Sequence, residues 1–103
     1  MAEKRLSMQK EFLELARYLI INGQNLVALD ILNEWVLRYP YDAGIDEIYY
    51  LLAKLYEDVA EIRDFKKSED YYTIVVKQYP ESKYAQISQE RIDYIDRYYI
   101  KVR

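Results

Sequence analysis

Acidic side chains recur in pairs at helical spacing, and of all the residue sets in this chain they come nearest to a catalytic or metal-binding arrangement. The pairs are Glu11/Glu14, Asp58/Glu61 and Asp93/Asp96. Two carboxylates three residues apart share one face of a helix, where they could transfer protons or hold a metal ion. The chain has no histidine and no cysteine, which removes the commonest general base and the thiolate ligands of metals. We therefore interpret the pairs as solvated helix faces and expect no enzyme activity, no metal and no cofactor.

Glycine content, charge and hydropathy argue against further classes of function. The glycines are Gly23 and Gly44 alone, so there is no glycine-rich loop to cradle a phosphate. The net charge is −3 and acids are interspersed among the bases, which disfavours nucleic-acid binding. No apolar run approaches the length of about 20 residues that a membrane helix needs. The N-terminus resembles no signal peptide, which predicts a cytoplasmic protein if the chain is complete and leaves a periplasmic location open if it is an excised fragment.

Apolar residues recur at spacings of three and four, which predicts five helices. The predicted ranges are about 3–21, 25–39, 46–59, 68–78 and 83–101. Gly23 supplies the left-handed residue that ends the first helix, Asn25 is expected to cap the second, and Pro40 terminates it. A looser connection is expected within 61–66, and Ser82 is the expected N-cap of the last helix.

Part of this pattern occurs twice along the chain. Phe12, Leu15, Ala16 and Leu19 recur as Tyr49, Leu52, Ala53 and Tyr56, at an offset of 37. Ala28, Leu32 and Trp35 recur as Ser68, Tyr72 and Val75, at an offset of 40, and a Tyr-Pro pair closes each copy. Such self-similarity is typical of helical solenoids, whose repeats stack to bury a shared core. We expect one all-α domain over 1–103, with repeat 1 at about 9–42, repeat 2 at about 46–82 and a capping helix at about 83–102.

The repeated residues resemble the tetratricopeptide repeat. The matches in repeat 1 are Phe12, Leu15, Ala16, Leu19, Gly23, Ala28, Leu32 and Pro40. Trp35 departs from the family pattern, which usually has Ala there. The resemblance implies antiparallel helix hairpins stacked as a short right-handed solenoid, which acts as a non-enzymatic adaptor or scaffold and binds a segment of a partner protein in its concave groove.

A more local resemblance concerns the run from Tyr79 to Ala85 and the later Arg91-Ile92. It is similar to the repeats of bacterial envelope-assembly adaptors, among them the lipoprotein subunit of the outer-membrane protein assembly machine and the coordinator of the Tol-Pal system. This resemblance covers the repeat pattern only, since the export signal and anchoring cysteine of those proteins are not found here.

The groove of such a repeat protein is lined by the first helix of each pair. The residues predicted to line it here are Lys10, Leu13, Arg17, Tyr50 and Lys54, flanked by Ile20, Glu47 and Glu57. Arg17 and Lys54 occupy equivalent positions, and two stacked cations would suit a peptide or protein segment that carries an acidic residue. Ordinary solvation of the two cations is the open alternative.

The last helix has two apolar stripes. One consists of Ala85, Ser88, Ile92, Ile95, Tyr99 and Val102, and the other of Tyr84, Ile87, Arg91, Tyr94 and Tyr98. Either both stripes pack on the preceding hairpin, or the tyrosine-rich stripe meets a second copy of the chain. The second interpretation predicts a self-assembling structural module, in the simplest case a homodimer, with no role for the groove.

Overall fold

Over residues 2–100 the protein is all-α, with five α-helices and one π-helical turn. The structure, a computed structural model, describes the backbone of residues 2–100 and the side chains of residues 8–100, and it contains no β-strand in that range. The helices are α1 (Ala2–Ile21), α2 (Asn25–Arg38), α3 (Ile45–Asp58), α4 (Phe65–Gln78) and α5 (Ala85–Ile95), with the π-helical turn at Asp96–Ile100. Consecutive helices pack on each other within two compact units, 1–44 and 45–103.

The first unit is the hairpin of α1 and α2. Gly23 has a φ of +78°, and its N–H donates to the carbonyl of Ile20 while the next N–H, of Gln24, donates to the carbonyl of Leu19. These two bonds satisfy the last carbonyls of α1 and reverse the chain in three residues. Ala16 and Ala28 are fully buried, which lets the two backbones approach closely.

Aromatic stacking fills the open end of this first hairpin. The Trp35 ring lies 4.3 Å from that of Phe12 and 4.6 Å from that of Tyr39, measured between centroids. Trp35 occupies a position that the tetratricopeptide pattern usually gives to Ala, and the structure accommodates it by stacking between these two rings.

The second unit contains α3, α4, α5 and the π-helical turn. Tyr49 of α3 contacts Tyr79, after the end of α4, and Tyr56 contacts Lys67, near the start of α4, so α3 and α4 run antiparallel. One core cluster of this unit consists of the fully buried Ala53, Tyr72 and Ile95. Around it pack the partly buried residues Tyr50, Phe65, Tyr71, Ile92 and Ile100.

Three of the predicted helix ends are wrong in detail. The helix α4 begins at Phe65 rather than Ser68 because Asp64 caps it, with its carboxylate accepting from the N–H of Lys67 at 3.0 Å. The looser connection therefore lies at 59–64. Gln24 rather than Asn25 precedes α2, without a side-chain cap. The helix α5 begins at Ala85, and the Ser82 hydroxyl closes the turn before it by accepting from the N–H of Tyr84.

The predicted apolar stripe of α1 is also wrong at one position. Leu15 is 49% exposed, whereas Leu13, predicted to line the groove, is 8% exposed. On a helical wheel the buried residues of α1 form one continuous arc, with Leu13 at one end of it and Leu15 outside the opposite end. The helical period was predicted correctly, and the centre of the buried face is rotated by roughly 55°, about half a residue.

Candidate protein-binding surface

Two helices of the second unit, α3 and α5, lie side by side and run in the same direction. The hydroxyl of Ser82, just before α5, donates to the Asp46 carboxylate at 2.5 Å. Further along, the Tyr50 and Tyr84 rings stack with centroids 4.6 Å apart. Residue numbers rise together in both segments, so α3, α4 and α5 alternate in direction. The first helices of consecutive helix pairs are therefore neighbours in this unit, as the repeat pattern predicts.

The contact between α3 and α5 ends in a buried charged network. The side chain of Glu57 is 6% exposed and forms an ion pair with Arg91, whose Nε also donates to Glu57 Oε1 at 3.3 Å. The Tyr72 hydroxyl of α4 donates to the same carboxylate at 2.7 Å. One carboxylate thus joins all three helices, and its partners compensate for its removal from water.

The network shifts the pKa values of Glu57 and Tyr72 in opposite directions. Burial acts to raise the pKa of Glu57, but the hydrogen bonds from Arg91 and Tyr72 and the charge of Arg91 outweigh it, so the pKa lies below its ordinary value. Burial and the hydrogen bond to Glu57 raise the pKa of the Tyr72 hydroxyl well above its usual range. Glu57 is therefore an ionised structural acceptor near neutral pH, which is unlike a general base that must take up a proton.

The residues predicted to line the groove have different environments. Lys10 and Arg17 are exposed on α1, while Leu13 is buried and so has little surface to offer a partner. On α3, Tyr50 is half-buried against Tyr84, and Lys54 Nζ lies 2.9 Å from the carboxylate of Asp58. The flanking residues Glu47 and Glu57, expected to point into the groove, are instead buried.

The predicted tyrosine-rich stripe of the last helix is divided by the structure. Tyr84 and Arg91 contact Tyr50 and Glu57 within the same unit, so these two are engaged in the fold. Its other members, Ile87, Tyr94 and Tyr98, are exposed. In the second stripe, Ser88 and Ile95 are buried, but Tyr99 is half-exposed and stacks on Phe65 of α4, and Val102 lies outside the described residues.

A cleft of about 280 Å³ lies beside the Glu57 network. Its lining consists of Glu57, Asp58, Arg63, Phe65, Arg91, Tyr94 and Tyr99. Arg63 donates to the carbonyl of Glu57 at 2.9 Å and to that of Asp58 at 3.1 Å, and thereby caps the end of α3. Both arginines in the cleft are thus already hydrogen-bonded to α3, and the lining contains acidic as well as basic side chains.

The buried Glu57 network is the feature of this surface that the sequence interpretation missed. A signal was present, because Glu57 and Arg91 are separated by 34 residues, a separation within the range of helical-repeat periods. An acid and a base at equivalent positions of adjacent repeats are candidates for an ion pair between first helices.

Two absences in the described part of the chain concern other kinds of site. Among residues 2–100 no helix is long and apolar enough to cross a membrane. Among the described side chains, those of residues 8–100, no three acidic groups lie closely enough together to hold a metal ion.

Comparison with known proteins finds two similar bacterial proteins. The chain is 29% identical over 100 residues to an uncharacterized protein of Borreliella burgdorferi (strain ATCC 35210 / DSM 4680 / CIP 102532 / B31), covering 96% of this chain and 29% of that protein. It is 25% identical over 101 residues to an uncharacterized protein of Treponema pallidum (strain Nichols), covering 98% of this chain and 20% of that protein. The chain thus spans less than a third of either relative. No family model matches it, and no solved structure does.

Proposed function

We propose that the protein is a non-enzymatic adaptor of the tetratricopeptide-repeat type, which binds a segment of a partner protein along its first helices. The observation that supports this most directly is the parallel pairing of α3 with α5, with Tyr50 stacked on Tyr84 and Glu57 bonded to Arg91. Repeats arranged in this way each present the same helix face, and a segment of a partner protein can bind along the row of these faces.

The expected contacts are Arg17, Tyr50 and Lys54, with Lys10 at the edge. Lys54 keeps 36% of its side chain exposed and its partner Asp58 is itself at the surface, so the ion pair is weak and can be exchanged for a partner's carboxylate. Leu13 is not expected to contact the partner because its side chain is buried. The expected ligand is a segment with at least one acidic residue beside an apolar one.

The test combines site-specific crosslinking with charge reversal. A photoreactive residue at position 54 is compared with one at Lys77, an exposed residue of α4, in lysate of the source organism. We expect one protein to crosslink at position 54 and not at 77. Its binding should be lost in the Arg17→Glu/Lys54→Glu variant and retained in the Lys77→Glu control. Unchanged binding by the double variant would contradict the groove assignment.

A second candidate function is self-assembly through the last helix, which the exposure of Ile87, Tyr94 and Tyr98 favours. Aromatic side chains are enriched at interfaces because they bury a large area at little entropic cost. Light scattering at increasing concentration separates the candidates. A dimer in the wild type that reverts to a monomer in Tyr94→Ser/Tyr98→Ser supports self-assembly, and a monomer at the highest concentration contradicts it.

A further inference from the structure

The cleft beside the Glu57 network is bordered by two arginines that α3 orients. Arg63 donates through Nε and Nη2 to the carbonyls of Glu57 and Asp58. Arg91 donates through Nε and Nη2 to the carboxylate of Glu57. Because a guanidinium has five N–H groups, these bonds leave three of them on each arginine, among them both N–H groups of Nη1. The two side chains are thus held in place while most of their donors stay unused by the described part of the chain.

Aromatic rings connect the two arginines around the other side of the cleft. The guanidinium carbon of Arg63 lies 5.8 Å from the centroid of the Phe65 ring. That of Arg91 lies 4.6 Å from the centroid of the Tyr94 ring. Tyr99 contacts both rings, with its centroid 4.0 Å from that of Phe65 and 5.9 Å from that of Tyr94. The contacts therefore form a closed circuit, with cationic donors on one side of the cleft and a row of aromatic rings on the other.

The formal charges of the lining leave one cation without a carboxylate partner. Glu57 is paired with Arg91, and Asp58 is paired with Lys54 at 2.9 Å. Among the side chains of residues 8–100, no carboxylate forms an ion pair with Arg63. Its bonds are to backbone carbonyls, which carry only the partial negative charge of a helix C-terminus. Arg63 therefore brings one uncompensated positive charge to a cleft that is otherwise balanced.

We propose that this cleft binds a small monocarboxylate that carries a flat apolar group, for example an arylacetate. A carboxylate matches the paired N–H donors of a guanidinium in geometry and the excess charge of Arg63 in sign and magnitude. Its apolar group lies against the row of aromatic rings. The cleft volume of about 280 Å³ is at the low end for ligand pockets and suits a molecule with one ring. The inference is independent of the adaptor proposal, because none of the contacts expected for the partner segment lines the cleft.

An NMR titration of the arginine Nε–H signals tests the site, with phenylacetate as the probe. A one-ring acid of about ten non-hydrogen atoms should bind with a dissociation constant of about 1 mM. The signals of Arg63 and Arg91 should shift with this constant, while that of Arg38, an exposed arginine of α2, should not. Phenylacetamide has nearly the same shape without the charge and should bind at least about tenfold more weakly. Equal binding of acid and amide, or no shift at Arg63 up to about 20 mM phenylacetate, overturns the proposal.

A substitution at Arg63 gives a second test. Arg63→Gln keeps N–H donors and removes the charge, so it should weaken the binding of phenylacetate about tenfold. The matched control is Arg38→Gln, which should leave the affinity unchanged, and circular dichroism checks that both variants are folded. Arg91 is left intact because its replacement would leave the buried Glu57 without its partner. Unchanged affinity in a folded Arg63→Gln variant overturns the proposal, and the comparison of acid with amide needs no variant.

Two further probes define the apolar group and the source of the ligand. Acetate lacks the ring and should bind at least about tenfold more weakly than phenylacetate; equal binding would overturn the assignment of an apolar group. Acetyl-phenylalanine has a similar ring and carboxylate and adds the peptide bond of a C-terminal residue. If it binds more tightly than phenylacetate, the ligand is the C-terminal residue of a protein, and if more weakly, a free acid. Either result supports the carboxylate site, whereas failure of both compounds to bind overturns it.

Discussion

Two equivalent positions hold apolar side chains in the hairpin of α1 and α2 and polar ones in the hairpin of α3 and α4. Ile20 and Leu32 of the first correspond in sequence to Glu57 and Tyr72 of the second. The first hairpin packs aliphatic side chains there, whereas the second forms a hydrogen-bonded network that extends to Arg91. The repeat pattern therefore constrains the size of a side chain and its distance from the neighbouring helix more strongly than its polarity.

The surfaces of the two hairpins differ as well. The described part of α1 and α2 exposes Leu15, Tyr18, Ile21, Leu26, Val27 and Leu37. In α3 and α4 the large apolar side chains are buried or half-buried. The hairpin with the apolar interior therefore also carries the more apolar surface. The two interiors should also differ in how much the free energy of unfolding changes when their residues are replaced.

The largest expected effect is at Trp35, which is nearly buried between Phe12 and Tyr39. Trp35→Ala should lower the free energy of unfolding by about 3–5 kcal/mol, because it leaves a cavity that the short hairpin cannot close. Urea unfolding followed by circular dichroism measures it without using tryptophan fluorescence.

Two matched variants show whether this loss is specific to packing. Leu37→Ala removes a side chain that is 79% exposed and should change stability by less than about 0.5 kcal/mol. Trp35→Phe keeps a ring between its neighbours and deletes an indole N–H that is buried without a hydrogen-bond partner, so it should cost far less than alanine. Equal losses in phenylalanine and alanine variants would contradict the stacking account.

The free energy of unfolding should fall when one residue of the Glu57 network is replaced, and it should largely recover when all three are replaced. Glu57→Ile should cost about 2–3 kcal/mol, because it leaves the Tyr72 hydroxyl and the partly exposed Arg91 without their acceptor. Adding Tyr72→Leu, which with Glu57→Ile gives this hairpin the residue types of the first, and Arg91→Met in α5, which removes the remaining charge, should recover most of that stability. A triple variant less stable than the single one would show that the network is worth more than its apolar replacement.

The fold could be predicted from the sequence because the pattern of apolar residues that determines it occurs twice along the chain. The period of the apolar residues gave five helices, and Gly23 and Pro40 marked the ends of the first two. The helix α4 began earlier than predicted because Asp64, a polar cap, was assigned to a loop. The π-helical turn could not be predicted, since nothing in the local pattern distinguishes residues 96–100 from the helix before them.

The candidate site was less predictable than the fold. A helical wheel shows which side chains share a face, but Leu13 and Leu15 lie at opposite ends of the apolar arc of α1. A rotation of the buried face by about half a residue buries one and exposes the other, and only packing decides it. Glu57 was expected to face the groove because it flanks the packed stripe of the third helix. Its partners Tyr72 and Arg91 come from two other helices, and a charge buried with partners so distant in sequence is recognised only once the helices are placed.

The smallest expected effect compares Ser68 with its equivalent, Ala28. The buried Ser68 hydroxyl donates to the carbonyl of Ala53 at 2.7 Å, so Ser68→Ala should cost about 1 kcal/mol. The reverse change, Ala28→Ser, puts a hydroxyl at the corresponding place in the first hairpin, where the equivalent acceptor is the carbonyl of Ala16. If the two hairpins share backbone geometry there, Ala28→Ser finds that carbonyl and costs less than about 1 kcal/mol, as urea unfolding would show. A loss of about 2–3 kcal/mol, the cost of a buried hydroxyl without a partner, would mean that the hairpins share a sequence pattern but differ in helix spacing.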